Sequence, residues 1–180
     1  MVNKKELLEL IEAYPNKDEH RQQILEFLSQ NEDFWTKNNE SGQITASCWV
    51  VNKERTKALM THHKKLNRWL QIGGHLEAVD YSIFDACIRE LKEESGLTRF
   101  KLLQDSIFDL DVHDIPKSKK GTPAHLHYDI RMFFEADEQE VINFDVEESN
   151  EIAWMELAKL ADLENESIVR MARKSILRPV

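Results

Sequence analysis

The sequence lacks the features of a membrane or secreted protein. No apolar run approaches the roughly 20 residues of a membrane span, and the N-terminus lacks the apolar core of a signal peptide. The two cysteines, Cys48 and Cys87, lie in apolar contexts without CxxC spacing, so we expect reduced thiols in the core. The sequence also contains no internal repeats or low-complexity tracts. These absences predict a cytoplasmic protein with no membrane partner.

Positive charge is scarce as well. The chain carries 24 Lys and Arg against 33 Asp and Glu, a formal net charge of −9, and its one basic cluster runs from Lys117 to Lys120. Phosphate backbones and anionic lipids attract basic surfaces, so this balance argues against nonspecific binding to nucleic acids or membranes. An acidic protein can still act on small phosphate compounds when a bound metal ion supplies the positive charge.

The length and composition suit one α/β domain, because 41% of the 180 residues are hydrophobic. Apolar periodicity predicts two helices, over residues 3–13 and from Asp18 to Leu28, and we assign residues 1–40 to an N-terminal helical extension. Such an extension is too small to fold alone, so we expect it to pack on the domain or to form a contact in a homodimer. The domain, residues 41–180, has predicted strands at 44–51, 57–62, 100–112, 125–135 and 151–155 and a last helix at 166–177.

The most informative stretch runs from Gly73 to Leu97, where a glycine turn precedes a helix rich in carboxylates. Ser82 is a candidate N-cap and Gly96 a candidate stop. The helix carries an apolar stripe and, away from it, three glutamates within one arc of roughly 100°; the stripe is Phe84, Cys87, Ile88 and Leu91, and the glutamates are Glu90, Glu93 and Glu94. One interpretation is a solvated acidic surface, because like charges on an exposed helix cost only a few tenths of a kcal/mol. The other is a site for Mg²⁺ or Mn²⁺, which prefer carboxylate oxygens.

The whole run resembles the signature of the Nudix hydrolases, which is G, five residues, E, seven residues and then REUxEExGU, with U aliphatic. Gly74 supplies the glycine, and the segment from Arg89 to Leu97 matches the second half in order. One position departs from the signature: the first glutamate should stand at Tyr81, whereas the nearest acid is Asp80, with Glu77 as a second candidate. The helix glutamates are unaffected by this departure. The segments HHKKLNRWLQIGGH, DLDVHDIP and HLHYDIR also resemble a bacterial group within the family.

The resemblance implies both a fold and an activity. The implied fold is an α/β/α sandwich with a mixed β-sheet, to which the N-terminal helices are added. The implied reaction is metal-dependent hydrolysis of a nucleoside diphosphate linked to another moiety, by cleavage of its pyrophosphate bond. Glu90, Glu93 and Glu94 would coordinate Mg²⁺ or Mn²⁺ with help from the Gly74 carbonyl, and Arg89 would orient these catalytic carboxylates. A further carboxylate often comes from a loop outside the signature; Glu147 or Glu148 is the candidate here, and a solvated turn is the alternative.

Two other classes of protein remain open. A non-catalytic Nudix-fold module that binds nucleotides or regulates would lose the carboxylates, so the intact glutamate set argues against it. An enzyme similar to isopentenyl-diphosphate isomerase would need a catalytic cysteine, and both Cys48 and Cys87 are expected to be buried. A small-molecule nucleotide is therefore the expected partner.

A polar row alternates along the predicted strand at 125–135. His125, His127, Asp129 and Arg131 share one face of this strand, and His113 is a candidate to join them. Because strands in small α/β domains usually bury both faces, we expect this row to line the cleft and bind substrate. The histidines would bond to phosphate or sugar, or assist proton transfer near neutral pH. The His-x-His spacing also admits a zinc site, although neither a cysteine pair nor an HExxH motif accompanies it.

Overall fold

The computed structural model describes residues 1–36, 39, 41–117, 123–144, 146 and 149–177. The helices are α1 (Lys4–Glu12), α2 (Glu19–Gln30), α3 (Ile83–Ser95), α4 (Leu157–Leu160) and α5 (Glu166–Ile176). The strands are β1 (Gln43–Val51), β2 (Lys57–His63), β3 (Arg68–Leu70), β4 (Ile72–His75), β5 (Phe100–Leu102), β6 (Asp109–Ile115), β7 (His125–Ala136) and β8 (Ser149–Glu156).

These strands belong to one sheet with the path β3-β2-β1-β7-β5, in which β4 pairs with β1, β6 with β7 and β8 with β2. The expected fold class, an α/β/α arrangement with a mixed sheet preceded by N-terminal helices, is confirmed. The chain divides into two compact units, and β1, β4, α3 and β7 each contribute residues to both.

The first unit comprises Met1–Ser47, Gly74–Cys87 and Ser106–Met132. Within it, β6 runs antiparallel to β7, from the Asp109–Arg131 pair to the Ile115–His125 pair. Helix α2 packs against α1 and β6. Both N-terminal helices begin at side-chain caps: Asn3 accepts hydrogen bonds from the backbone of α1, and Asp18 accepts one from Arg21 N. The aromatic rings of Phe27 and Tyr128 stack with centroids 4.1 Å apart, which attaches α2 to β7.

The second unit comprises Cys48–Gly73, Ile88–Asp105 and Phe133–Val180. The strands predicted at 44–51 and 57–62 correspond to β1 and β2, which form an antiparallel hairpin. Asn52 Oδ1 accepts bonds from the backbone nitrogens of Thr56 and Lys57 in its turn. Strand β2 also pairs with β3 and, along its whole length, with β8. The C-terminal helix is fixed by a buried bond in which Trp49 Nε1 donates to Ser175 Oγ over 2.7 Å.

Helix α3 begins and ends as its sequence predicts. Ser82 Oγ accepts from Asp85 N at 3.1 Å, which caps the first turn. Gly96 adopts a φ of +70°, and a Cβ there would lie 2.7 Å from the backbone oxygen of Asn143, so glycine is required at this stop. The buried stripe differs in part from the predicted one, because Phe84 and Ile88 are half-buried whereas four other side chains are buried; these are Ile83, Ala86, Cys87 and Leu91.

The single strand predicted at 100–112 is wrong, because two strands, β5 and β6, occupy this stretch. Leu103 N bonds to Phe133 O, and Phe108 N bonds to Arg131 O. The chain therefore advances five residues while its partner β7 advances only two, so the intervening residues leave the ladder as a bulge.

Both cysteines are buried free thiols, as expected. Over the described ranges, no helix combines the length and apolar character needed to cross a membrane.

Candidate active site

The glycine turn contacts the carboxylate helix through a backbone donor. Gly73 N donates to Glu94 Oε1 over 2.8 Å. Gly73 has a φ of +150°, which L side chains rarely adopt, so the absence of a side chain permits this turn. The bond draws the end of the Glu94 side chain back toward the strand that precedes the helix, and a charged acceptor makes it one of the stronger hydrogen bonds.

Arg89 holds the other two glutamates of the helix. Its Nη1 donates to Glu90 Oε1 at 2.9 Å and to Glu93 Oε2 at 3.0 Å. The side chains of Arg89 and Glu90 are 15% and 13% exposed, whereas that of Glu93 is 60% exposed. One guanidinium nitrogen thus brings two like charges together and offsets their repulsion, while Glu93 keeps access to solvent.

The loop acids near the family signature have different environments. Asp80 is 2% exposed, and its Oδ2 accepts from Glu77 N over 2.7 Å. This carboxylate therefore stabilises the loop conformation through a hydrogen bond to its backbone. The Glu77 side chain is exposed, and Gly74 is half-buried in β4.

Four histidines of the first unit form a cluster centred on His127. The centroid of its ring lies 5.0 Å from that of His75, 5.2 Å from that of His125 and 5.6 Å from that of His113. His127 Nε2 is buried and has no hydrogen-bond partner among the described residues. His125 Nδ1 lies 2.9 Å from Pro123 O; because a carbonyl can only accept, this nitrogen carries the proton of the bond. We call these four residues the histidine cluster.

The pKa of His127 is lowered from 6.5 to about 3. Burial is the main cause, because the imidazolium form loses its hydration. The positive forms of His75, His113 and His125 disfavour protonation further, and Asp129 opposes the shift without reversing it. His127 is therefore a neutral imidazole near neutral pH.

Asp129 and Arg131 lie deeper along the same strand, each 1% exposed. Arg131 donates from Nε to Asp129 at 2.7 Å, from Nη1 to Asp109 at 3.1 Å and from Nη2 to Asp111 at 3.0 Å. The other oxygen of Asp129 accepts bonds from the hydroxyls of Thr45 and Ser47. Burial alone would lower the pKa of Arg131, but the three aspartates outweigh it and the pKa is raised. Direct contact with a substrate does not fit this burial, so the predicted polar row divides into half-buried histidines and a buried ion cluster.

A family comparison covers most of the chain. Residues 42–174 match the family model described as the NUDIX domain. The chain belongs to the Nudix hydrolase family. It is therefore a pyrophosphohydrolase of the Nudix type, a class that acts on phosphoanhydride bonds. The match begins near the end of the expected helical extension; the boundary at residue 40 itself stays a prediction.

Solved structures of Nudix enzymes have a similar fold. A NUDIX-family hydrolase from Clostridium perfringens is 26% identical with a TM-score of 0.55, and the match covers 77% of this chain and 98% of that chain. An Ap4A hydrolase of C. elegans in a binary complex is 15% identical with a TM-score of 0.57, covering 73% and 93%. The dihydroneopterin triphosphate pyrophosphohydrolase of E. coli is 16% identical with a TM-score of 0.52, covering 73% and 92%. These last two show likeness of fold alone. The search of curated proteins found no match.

The side chains of helix α3 suit a hard divalent cation, because Glu90, Glu93 and Glu94 offer carboxylate oxygens. Their present hydrogen bonds point these oxygens to Arg89 and to Gly73 N. Within the described part of the chain, no three His, Cys, Asp or Glu side chains already converge on one point suited to a metal ion. Metal binding would thus require these side chains to rearrange. The predicted loop carboxylates, Glu147 and Glu148, lie outside the described residues.

A separate cavity of about 570 Å³ in the second unit contains none of the predicted site residues. Two ion pairs belong to its lining, one between Arg99 and Asp137 and one between Lys101 and Glu135.

Sequence reasoning missed His75 and the two aspartates of β6. His75 follows the signature glycine directly, and Asp109 and Asp111 alternate just as Asp129 and Arg131 do. Aligning the two alternating strands in antiparallel register would have placed the acids beside the arginine.

Proposed function

We propose that this Nudix enzyme hydrolyses the pyrophosphate bond of a nucleoside diphosphate linked to another moiety, with Mg²⁺ or Mn²⁺ as its cofactor. The observation that carries the proposal is the anchored glutamate set on α3. Gly73 N fixes Glu94, and Arg89 gathers Glu90 and Glu93. These contacts keep the three carboxylates near one another on α3, so that a shift of their side chains alone would bring them to a shared cation.

Glu90, Glu93 and Glu94 would hold the cation, and the carbonyl of Gly74, the next residue of the glycine turn, completes the set predicted from the sequence. The chemistry that such a cation supplies is neutralisation of pyrophosphate charge and easier loss of a proton from water. Arg89 keeps two carboxylates close together despite their repulsion. Glu93 is solvent-accessible, which suits a group that meets water or substrate.

His125 and His127 are proposed to contact polar groups of the substrate. The supporting observation is the buried Nε2 of His127, which lacks a partner among the described residues. An unpaired buried nitrogen costs about 1–3 kcal/mol, so a substrate group that bonds to it recovers that free energy. Asp129 and Arg131 serve in this proposal as buried support beneath the histidines and do not touch substrate.

The competing interpretations have less support. Both cysteines are 0% exposed, and Cys87 Sγ lies 3.3 Å from Ser47 O, so neither thiol suits the catalytic role of an isomerase. A purely regulatory module would have no use for an anchored glutamate set. A homodimer and a cytoplasmic location stay predictions from the sequence.

The test is a panel assay with purified protein, Mg²⁺ or Mn²⁺, and product identification by mass. The panel comprises nucleotide sugars, ADP-ribose, dinucleoside polyphosphates, oxidised nucleotides and a pterin triphosphate. We expect metal-dependent cleavage of one class, with orders of magnitude lost in Glu93→Gln and in Glu94→Gln. Glu12→Gln, an exposed glutamate on α1, is the matched control and should retain full turnover. Normal activity in both helix variants would refute the assigned site.

A further inference from the structure

The imidazole of His113 is oriented by a buried carboxylate. Its Nδ1 lies 3.1 Å from Asp111 Oδ2, and the same oxygen accepts a bond from Arg131 Nη2 at 3.0 Å. An aspartate paired with a buried arginine is ionised and can only accept hydrogen bonds. The proton of the contact therefore resides on Nδ1 of His113. In the neutral ring this leaves Nε2 with a lone pair.

A second histidine, from the N-terminal helices, contacts the same carboxylate from another direction. His20 Nδ1 accepts from the backbone N–H of Val112 at 3.2 Å, so the proton of its neutral ring resides on Nε2. That nitrogen lies 3.8 Å from Asp111 Oδ1. Helix α2 thus presents positive polarity to one oxygen of Asp111, while Arg131 and His113 use the other. This arrangement leaves the carboxylate little freedom to turn.

We propose that Asp111 is a positioning residue which holds His113 in the tautomer with its proton on Nδ1, so that His113 Nε2 accepts a hydrogen bond from a hydroxyl group of the substrate. The proposal rests on the proposed function in one respect, namely that the histidine cluster meets the substrate. It assigns the chemistry that the cluster recognises. An ionised phosphate offers only acceptors, which a lone pair repels, whereas a sugar hydroxyl can donate.

Two further features of the cluster favour a hydroxyl ligand. His127, whose ring centroid is 5.6 Å from that of His113, is neutral near neutral pH because its pKa is lowered to about 3. The cluster therefore lacks the central positive charge that a phosphate site would use. The His113 side chain is 33% exposed, so a ligand can reach it, whereas Asp111 at 9% is covered and acts only through the imidazole.

The first experiment determines the tautomer directly, by nitrogen NMR of the imidazole rings in the 180-residue chain without substrate. We expect the neutral form of the His113 ring to carry its proton on Nδ1. A neutral form with its proton on Nε2 would overturn the proposal without any need for a variant. In Asp111→Leu no side-chain acceptor remains at this position for the Nδ1 proton, so the signals should shift toward protonation at Nε2. A folded variant with unchanged His113 signals would equally overturn it.

The second experiment compares two probes on the same NMR signals: ADP-ribose, which carries ribose hydroxyls, and inorganic pyrophosphate, which carries none. We expect ADP-ribose to shift the Nε2 resonance of His113 and pyrophosphate to leave it unchanged. An equal response to both, or no response to ADP-ribose, would exclude the hydroxyl contact. The outcome is separable from that of the proposed function, because the tautomer and probe spectra need no turnover, whereas the Glu93→Gln and Glu94→Gln assay needs no histidine signal.

Discussion

Acidification should destabilise the folded chain through His127, whose pKa is lowered from 6.5 to about 3 on folding. Between these two pH values the unfolded chain binds a proton that the folded chain does not, so the free energy of unfolding falls as the pH falls through this window. Each pH unit between the two pKa values contributes about 1.4 kcal/mol, so the full loss is about 5 kcal/mol near pH 3. At about pH 5 the same linkage gives a loss of about 2 kcal/mol, and near pH 7.5 it has almost vanished.

The assay is urea unfolding at a series of pH values from about 7.5 to about 5, with the wild type compared with His127→Gln. Glutamine is polar but does not titrate, so the variant should lose about 2 kcal/mol less than the wild type over this range. The comparison cancels the titration of groups that do not interact with His127. In parallel, the carbon-bound ring protons of His127 should keep their NMR positions over the same range. Parallel stability curves, or an NMR midpoint near pH 6, would refute the reasoning.

Two further substitutions test the packing that supports the site. Gly96→Ala should lower the free energy of unfolding by about 1–3 kcal/mol, because φ is +70° and the new Cβ would lie 2.7 Å from the Asn143 backbone oxygen; an unchanged melting temperature would contradict this. Arg131→Met should lower the free energy of unfolding by about 3–5 kcal/mol, measured with a chemical denaturant, because three buried aspartates lose their shared cation. A decrease below about 1 kcal/mol would show that these carboxylates do not depend on Arg131.

Local signals made helix α3 predictable from its sequence. Its cap at Ser82, its stop at Gly96 and the angular arc of its glutamates each depend on residues a few positions apart. The direction in which each glutamate points was not predictable. Glu94 turns to Gly73 N, 21 residues away, and this contact depends on how the chain folds back.

Interruptions of a strand and buried ion pairs depend on residues that are distant in the sequence. For this reason the polar pattern of β7 did not reveal which of its residues are buried. Alternation correctly placed His127 and Arg131 on one face of β7, but it says nothing about depth. Burial depends on the register of β6, in which Asp109 lies opposite Arg131 and Asp111 lies opposite Asp129. The charge of Arg131 is therefore balanced by aspartates, and this part of the polar row is buried. A single-strand pattern cannot distinguish such a pair from a polar cleft.

The contact between His20 and Val112 has a consequence for how the protein can be handled in the laboratory. Strand β6 pairs with β7 alone among the described strands, so its outer rim is a sheet edge. The ring of His20 occupies the Val112 N–H, and α2 covers the strand. A recombinant chain trimmed to the family boundary at residue 42 would uncover this rim and the ring of Tyr128 together. Exposed strand edges recruit strands of other molecules. Expression of the trimmed chain should therefore yield aggregates. In the longer chain, α2 covers the edge of β6 and so limits its pairing with strands of other molecules.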